Sequence, residues 1–274
     1  YDLESELRTN YLEKNSVSTI YFGGGTPSVL SPGEIDIILN SLQKNFPVNT
    51  DSEITIELNP DDVSLEYLKG LKKIGINRIS LGVQSWHDED LKFLNRRHTA
   101  LQATNALKDS FKAGFENVTI DLIYGIPGMG IDKWTENLDT ALSFDIKHLS
   151  AYHLTIEPGT VFGKMNEKKS FVEVEEEESA SEYNVLIEKT ESAGFIQYEI
   201  SNFGKEGYFS VHNTNYWKQV PYLGLGPSAH SFNGYSRQWN IRDLKKYIKL
   251  VNNNKIFYER EELDLKKRFN EYIM

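Results

Sequence analysis

The chain contains no cysteine, which rules out a disulfide framework and fits a cytoplasmic protein. Long apolar runs are missing too. None approaches the roughly 18 residues of a membrane-spanning helix, so no membrane span is expected. Basic charge is in deficit: 30 Lys and Arg stand against 40 Asp and Glu, a net charge of -10. Together with a pI near 5.2, this argues against a dedicated nucleic-acid binder, which carries a basic face. Internal repeats and low-complexity tracts are absent as well. Apolar residues make up 39% of the 274 positions, and the mean hydropathy is -0.48. A chain of this length buries a substantial core, as one large domain or as a barrel with an appended lobe.

The most informative stretch present is Gly23-Gly24-Gly25-Thr26-Pro27. It follows Thr19-Ile20-Tyr21-Phe22, a β-branched and aromatic run that reads as a strand, so bare backbone is available to a small polar ligand where the strand ends. Three more strand-like runs carry one polar residue near their exits: Glu57 after Ile54-Thr55-Ile56, Gln84 after Ile79-Ser80-Leu81-Gly82-Val83, and Asp121 after Val118-Thr119-Ile120. Polar residues at the exits of successive buried strands are how a parallel α/β barrel builds its active face.

Strand and helix alternate along the first half. A charged helix is predicted over 2–14 and a strand over 18–22. Ser31, Pro32 and Glu34 then supply cap, N1 and N3 residues for a helix over 35–44. Further strands are predicted at 53–58, 78–83, 117–123 and 148–154. The helices between them cover 64–74, 88–94, 100–113 and 132–144, two of them ended by Gly75 and Gly114. Past Glu157 the texture changes: a turn at 157–160, a polar linker over 164–170, then an acidic run at 173–178 that reads as the solvated start of a helix reaching Ser192. A strand over 195–203, a turn over 204–207 and a helix over 241–252 complete the reading, with a domain boundary near 168.

Each site residue has a bland reading of its own. The glycines could form only a tight turn, Glu57 could cap a helix, Asp121 could be a surface carboxylate, and Gln84 and Arg96 could be a structural hydrogen-bonded pair. The set is more telling than its members. Gly23-Gly24-Gly25-Thr26-Pro27, Glu57-Leu58-Asn59-Pro60, Gly82-Val83-Gln84-Ser85, Asn95-Arg96-Arg97-His98 and Asp121-Leu122-Ile123-Tyr124-Gly125 resemble, in order and spacing, the S-adenosylmethionine-binding elements of the radical SAM enzymes related to oxygen-independent coproporphyrinogen III oxidase. In the second half, His212-Asn213-Thr214-Asn215-Tyr216-Trp217 is similar to the HNxxYW element of the heme chaperones in that family, and Gly224-Leu225-Gly226 follows at the family spacing.

The resemblance implies an α/β fold: a partial (β/α)6 TIM-like radical SAM barrel without its first strand and cluster loop over 1–168, and a smaller C-terminal α/β lobe over 169–274. It implies a cofactor site in which Gly24, Gly25 and Thr26 lie against the methionine part of S-adenosylmethionine. Arg96 would pair with the carboxylate, and Glu57, Gln84 and Asp121 would hold the remaining polar groups. It also implies a [4Fe-4S] cluster in the intact protein, on a CxxxCxxC loop expected upstream of Tyr1, and a further truncation at Met274. The function implied is that of a heme chaperone, binding heme through His212 and delivering it to an acceptor protein. The alternative is the oxidase itself, decarboxylating porphyrinogen propionates by radical chemistry. Imidazole is a common heme ligand, and flanking aromatics pack on a porphyrin face. His98 and His230 read as structural. A reading from a different class, a barrel enzyme gripping a phosphorylated metabolite with the glycine turn, accounts for the glycines and leaves Glu57, Gln84, Arg96 and Asp121 unexplained.

Overall fold

The computed structural model describes residues 1–13, 15–264 and 266–267. Its elements run α1 (Asp2–Leu7), β1 (Val17–Phe22), α2 (Pro32–Asn45), β2 (Val48–Leu58), α3 (Leu65–Lys73), β3 (Arg78–Gln84), α4 (Asp88–Phe93), α5 (Ala100–Lys112), β4 (Asn117–Tyr124), α6 (Gly130–Leu142) and β5 (His148–His153). They continue with α7 (Val161–Glu167), α8 (Glu176–Ser192), β6 (Ile196–Gln197), β7 (Asn202–Gly204), α9 (Val211–Trp217), β8 (His230–Phe232), β9 (Ser236–Asn240), α10 (Leu244–Asn252) and β10 (Tyr258–Glu262). A seven-stranded sheet has the order β1-β2-β3-β4-β5-β7-β6, and β10-β9-β8 form a second sheet. Strands β2 to β5 are parallel, and β7 turns antiparallel against β5. The mostly parallel α/β sheet is the arrangement that the strand–helix alternation predicts, and it is consistent with the partial barrel that the resemblance implies.

Contacts divide the chain into two compact units, residues 21–32 with 54–210, and residues 1–20 with 33–53 and 211–274. The expected boundary near 168 falls inside the first of these, because β6 and β7 extend the parallel sheet. In that unit the core lies on one face of the strands. Ile56, Leu58, Ile79, Leu81, Val83, Val118, Ile120, Leu122 and Leu149 are buried there, with α5 against β3 and α8 against β4. Side chains alternate between faces along a strand. The opposite face therefore carries Thr55, Glu57, Arg78, Ser80, Thr119, Asp121, His148, Ser150 and Tyr152.

The unit made of 1–20, 33–53 and 211–274 is organised around a buried charge. Glu4 on α1 is fully buried. Its carboxylate accepts from Gly226 N at 2.8 Å, from Asn240 Nδ2 at 2.8 Å and from the Tyr247 hydroxyl. One turn on, Arg8 donates to Gln238 Oε1 at 2.7 Å and stacks over the rings of Tyr11 and Tyr258. A small apolar cluster of Tyr247, Val251 and Phe257 packs beside them, with Leu7 against it.

Several boundaries differ from the sequence reading for local reasons. Helix α1 stops at Leu7, as Arg8 leaves helical geometry (φ -109°) to reach its aromatic partners; Lys14, the expected end, lies outside the described residues, as does Met274. Strand β2 starts five residues earlier than expected, at Val48. The supposed polar linker at 164–170 is largely helix α7, capped by Thr160 Oγ1 accepting from Gly163 N. The strand expected over 195–203 is two short strands, broken where the Glu199 carboxylate accepts from Ser201 N at 3.2 Å. Asp243 caps α10, so that helix begins at Leu244 rather than 241.

Removing the Glu4 carboxylate strands three donors in a buried place, and hydrogen bonds to a charged group contribute about 1.5–3 kcal/mol each. Glu4→Ala should therefore lower unfolding stability by about 3 kcal/mol or more in denaturant titration. An unchanged midpoint would show that these bonds contribute nothing net.

Candidate functional site

The site is assembled from turns that follow β1, β2, β3 and β4, all within the unit of 21–32 and 54–210. Gly23 is the hinge of the first turn. A β-carbon there would stand 2.8 Å from Glu57 Oε1 and 2.6 Å from Tyr21 Cε1, whereas at Gly24 and Gly25 it would meet nothing within 4 Å. Gly24 also has φ of +96°, a region that side chains disfavour. The turn thus pushes one glycine against the Glu57 carboxylate and leaves two exposed glycines with open space above them. Thr26 precedes a short 3-10 turn, Pro27–Val29. Ser28 Oγ in that turn donates to Asp62 Oδ2 at 2.7 Å, tying it to the segment after β2.

Tyr21 donates its hydroxyl to Glu57 Oε1 at 2.8 Å, and burial followed by the Glu57 charge pushes the phenol's pKa strongly up. Gln84 is buried and sits at φ +68°, where β3 bulges against β4. Its Nε2 lies 3.0 Å from where a Gly82 β-carbon would stand, so the glycine makes room for the amide over the polar face. Asp121 accepts from Ser80 Oγ, at 3.1 Å to Oδ1 and 3.0 Å to Oδ2. Its side chain keeps some access to solvent, yet protein crowds it. Burial raises its pKa to about 6, opposed by the Ser80 and Ser150 hydroxyls, reinforced by Glu57 and opposed again by Arg78.

Arg96 lies in the turn after α4, where its backbone N–H donates to Leu91 O at 2.8 Å. The side chain is solvent-accessible. Neighbouring protein atoms nevertheless push its pKa down, while Asp121 and Asp61 pull it back up. Its neighbour Arg97 forms the ion pairs, to Asp61 at 2.9 Å and Asp62 at 3.1 Å; Arg96 has no carboxylate partner within ion-pair distance among the described residues. Asp121 therefore senses the charge of Glu57, and Arg96 senses that of Asp121. Two carboxylates, an unpaired guanidinium, an amide and a bare glycine backbone share one neighbourhood. That set can take up an ammonium and a carboxylate at one end of a ligand and a diol at the other.

Four contributing residues were not among the expected site residues: Gly23, within the glycine turn, which touches Glu57; Tyr21, which donates to it; and Ser80 and Ser150, whose hydroxyls lie beside Asp121. Their signal was period two, since Tyr21 and Gly23, Ser80 and Gly82, and Ser150 and Tyr152 fall on one face of their strands.

The histidines separate clearly. His98 is buried with Nε2 3.0 Å from Val83 O, and burial pushes its pKa down; it orders the turn beside Arg96. His212 is on helix α9, an element the sequence reading omitted. Its Nδ1 lies 3.0 Å from Thr19 Oγ1, its backbone N–H donates to Glu53 Oε1 at 3.0 Å, and its ring meets Tyr216 edge-on at 5.0 Å. Tyr216 and Trp217 are about half exposed. His230 begins β8, with its ring tilted toward Trp239 at 6.4 Å. No helix among the described residues is long and apolar enough to cross a membrane, and none of these residues forms a group of three or more metal-ligating side chains.

Residues 2–141 match the sequence profile of the radical SAM superfamily. The chain is 38% identical over 236 residues to the heme chaperone HemW of Bacillus subtilis (strain 168), covering 86% of this chain and 62% of that protein. It is 35% identical over 269 residues to the heme chaperone HemW of Lactococcus lactis, covering 98% of this chain and 70% of that one. Among solved structures, coproporphyrinogen III oxidase (HemN) from Escherichia coli superposes with a TM-score of 0.83 at 24% identity, over 99% of this chain and 66% of the enzyme, a likeness of fold. The chain thus spans between three fifths and three quarters of the length of these proteins.

Because Asp121 keeps its proton up to about pH 6 when folded and releases it near pH 4 when unfolded, the folded state binds more protons between those values. The stability this group contributes is present below the window and lost as pH rises through it. Asp121→Asn should match the parent's stability at pH 4 and exceed it at pH 7 by about 1–2 kcal/mol, after discounting for solvent access. Equal unfolding midpoints at pH 7 would mean that the carboxyl is not perturbed.

Proposed function

Since the chain belongs to the radical SAM superfamily, and within it to the HemW heme-chaperone family, we propose that it binds S-adenosylmethionine at the exits of β1 to β4 and serves as a heme chaperone. The observation that carries the first part is the convergence of the Gly23–Gly24–Gly25 backbone, Glu57 and Asp121 with an arginine that lacks an ion-pair partner. The open space above Gly24 and Gly25 admits the methionine part, with Thr26 at its edge. Arg96 forks onto the ligand carboxylate, the oxygen of Glu57 not bonded to Tyr21 attracts the ammonium, and Asp121 accepts from a ribose hydroxyl. Gln84 borders the same space and supplies an amide. Bound there, S-adenosylmethionine supplies a sulfonium that one-electron reduction can cleave. The protein's share is to bind it, orient it and exclude water.

The 274 residues offer no thiolate, so they do not fit a [4Fe-4S] cluster by themselves. On this reading the cluster is held by sequence outside them, in a full-length cytoplasmic protein. Heme binding is assigned to the segment around His212, where an imidazole, Tyr216 and the half-exposed Trp217 lie on one short helix, and the heme is passed on to an acceptor protein. The oxidase alternative is separated by its product: turnover of coproporphyrinogen supports it, whereas heme uptake without turnover supports the chaperone.

In the cluster-loaded full-length protein, Arg96→Ala or Asp121→Ala should weaken S-adenosylmethionine binding by about 1.5–3 kcal/mol, the scale of hydrogen bonds to charged groups. Calorimetry giving parental affinity for both folded variants would place the ligand elsewhere. For heme, His212→Ala should alter the Soret spectrum or reduce retention, with His98→Ala and His230→Ala behaving as the parent. The opposite pattern, loss in either control and none in His212→Ala, would overturn the ligand assignment.

A further inference from the structure

Helix α8 reaches the exits of two neighbouring strands through side chains one turn apart. Ser179 Oγ lies 3.0 Å from His153 Nε2 at the end of β5. Glu182 Oε2 accepts from Gly125 N at 2.7 Å, just beyond β4. Glu182 is fully buried, and its other oxygen, Oε1, has no hydrogen-bond partner among the described residues, so among them the Gly125 amide is the donor that the carboxylate accepts from.

The turn it holds is also crowded. Gly125 has φ of +72°, and the space a β-carbon would need is filled by the His153 ring, with Nε2 at 2.5 Å. Tyr124 meets His153 edge-on at 5.2 Å and packs on Trp134 and Tyr183, while Trp134 Nε1 donates to the backbone oxygen of Glu182 at 2.9 Å. These contacts converge on residues 124 and 125, three and four positions past Asp121, at the last residue of β4 and the one after it. A buried carboxylate with an orphaned oxygen is a poor choice for stability alone, because an apolar side chain of similar size avoids the desolvation cost.

We propose that Glu182 is a positioning residue for the ribose side of the site: by gripping the Gly125 amide it fixes the exit of β4 and, through it, the direction of the Asp121 carboxylate. This rests on the reading that the site takes S-adenosylmethionine. It gives α8 a part in ligand binding although α8 supplies no atom to the ligand.

The test uses the cluster-loaded full-length protein, with S-adenosylmethionine titration and hydrogen exchange at the Gly125 amide read together. Glu182→Leu should speed exchange at Gly125 and weaken binding, each by about tenfold, the equivalent of one hydrogen bond. Glu182→Gln, which keeps an acceptor at the right distance, should restore both toward the parent, a rescue that a packing role would not produce. Glu182→Asp, one methylene short, should resemble the leucine variant and serves in its place if that variant does not fold. Asp121→Ala should weaken binding while leaving Gly125 exchange unchanged. A parent that binds S-adenosylmethionine and a Glu182→Leu or Glu182→Asp variant that binds it equally would overturn the positioning role, as would a glutamine variant as weak as the leucine one. A parent that fails to bind at all would instead defeat the S-adenosylmethionine reading, with Gly125 exchange still reporting whether Glu182 holds the turn.

Discussion

A β-strand presents alternate residues to opposite faces, and the candidate site depends on that constraint. Along β2 to β5 one face is apolar and carries the helices, as Ile56, Ile79, Ile120 and Leu149 show. The other face is polar although much of it is buried: Arg78 donates to Asn117 Oδ1 at 2.8 Å and Thr119 Oγ1 at 2.6 Å, and His148 Nε2 lies 2.7 Å from the Tyr198 hydroxyl. Parallel strands covered on both sides usually read as continuous apolar runs. Here the alternation survives because the second face turns toward a polar interior. A slip of one residue in any of these strands would exchange the two sets and bury Glu57 or Asp121 among leucines and isoleucines.

Much of this was legible in the sequence because local rules decide it. Ser64 caps α3 by accepting from Tyr67 N, and Thr99 forms a capping box with Gln102 at the start of α5. Gly75 and Gly114 end their helices at positive φ. The polar residues at strand exits were visible for the same reason, each standing out against a β-branched run. What stayed hidden is decided at a distance. The strands β8 to β10 are short, and β9 and β10 each carry four polar residues and one aromatic, so their pairing is specified by partners rather than by pattern. Helix α9 has only seven residues, and its start is held by Glu53, 158 positions earlier, accepting from Val211 N at 3.1 Å. No window of sequence around His212 contains that information.

The site residues divide in the same manner. Glu57, Gln84 and Asp121 announced themselves by type, whereas Gly23 and Ser80 matter through what they touch. Gly23 and Gly24 look alike in the sequence, yet one is fixed by the absence of room and the other by backbone conformation, with space above it. The polar interior also carries unsatisfied atoms, Thr55 Oγ1 and His148 Nδ1. A bonded network that leaves such atoms over is a compromise between folding and the demands of the face it lines.

The Glu4 carboxylate has a consequence for how the chain is made. Its three donors come from residues 226, 240 and 247, and Arg8 finds its acceptor at 238. At a synthesis rate of about 5–20 residues per second, the first helix waits roughly 10–50 s on the ribosome before any of them exists. The strands between can pair with their neighbours as they emerge, since each follows the last within a few dozen residues. Helix α1 cannot, and it carries an unpaired acid and an unpaired base while more than 200 further residues are made. Helix α1 is thus made more than 200 residues before the partners that fix it and is among the last of these elements to settle, so whatever meets the nascent chain meets α1 unsheltered.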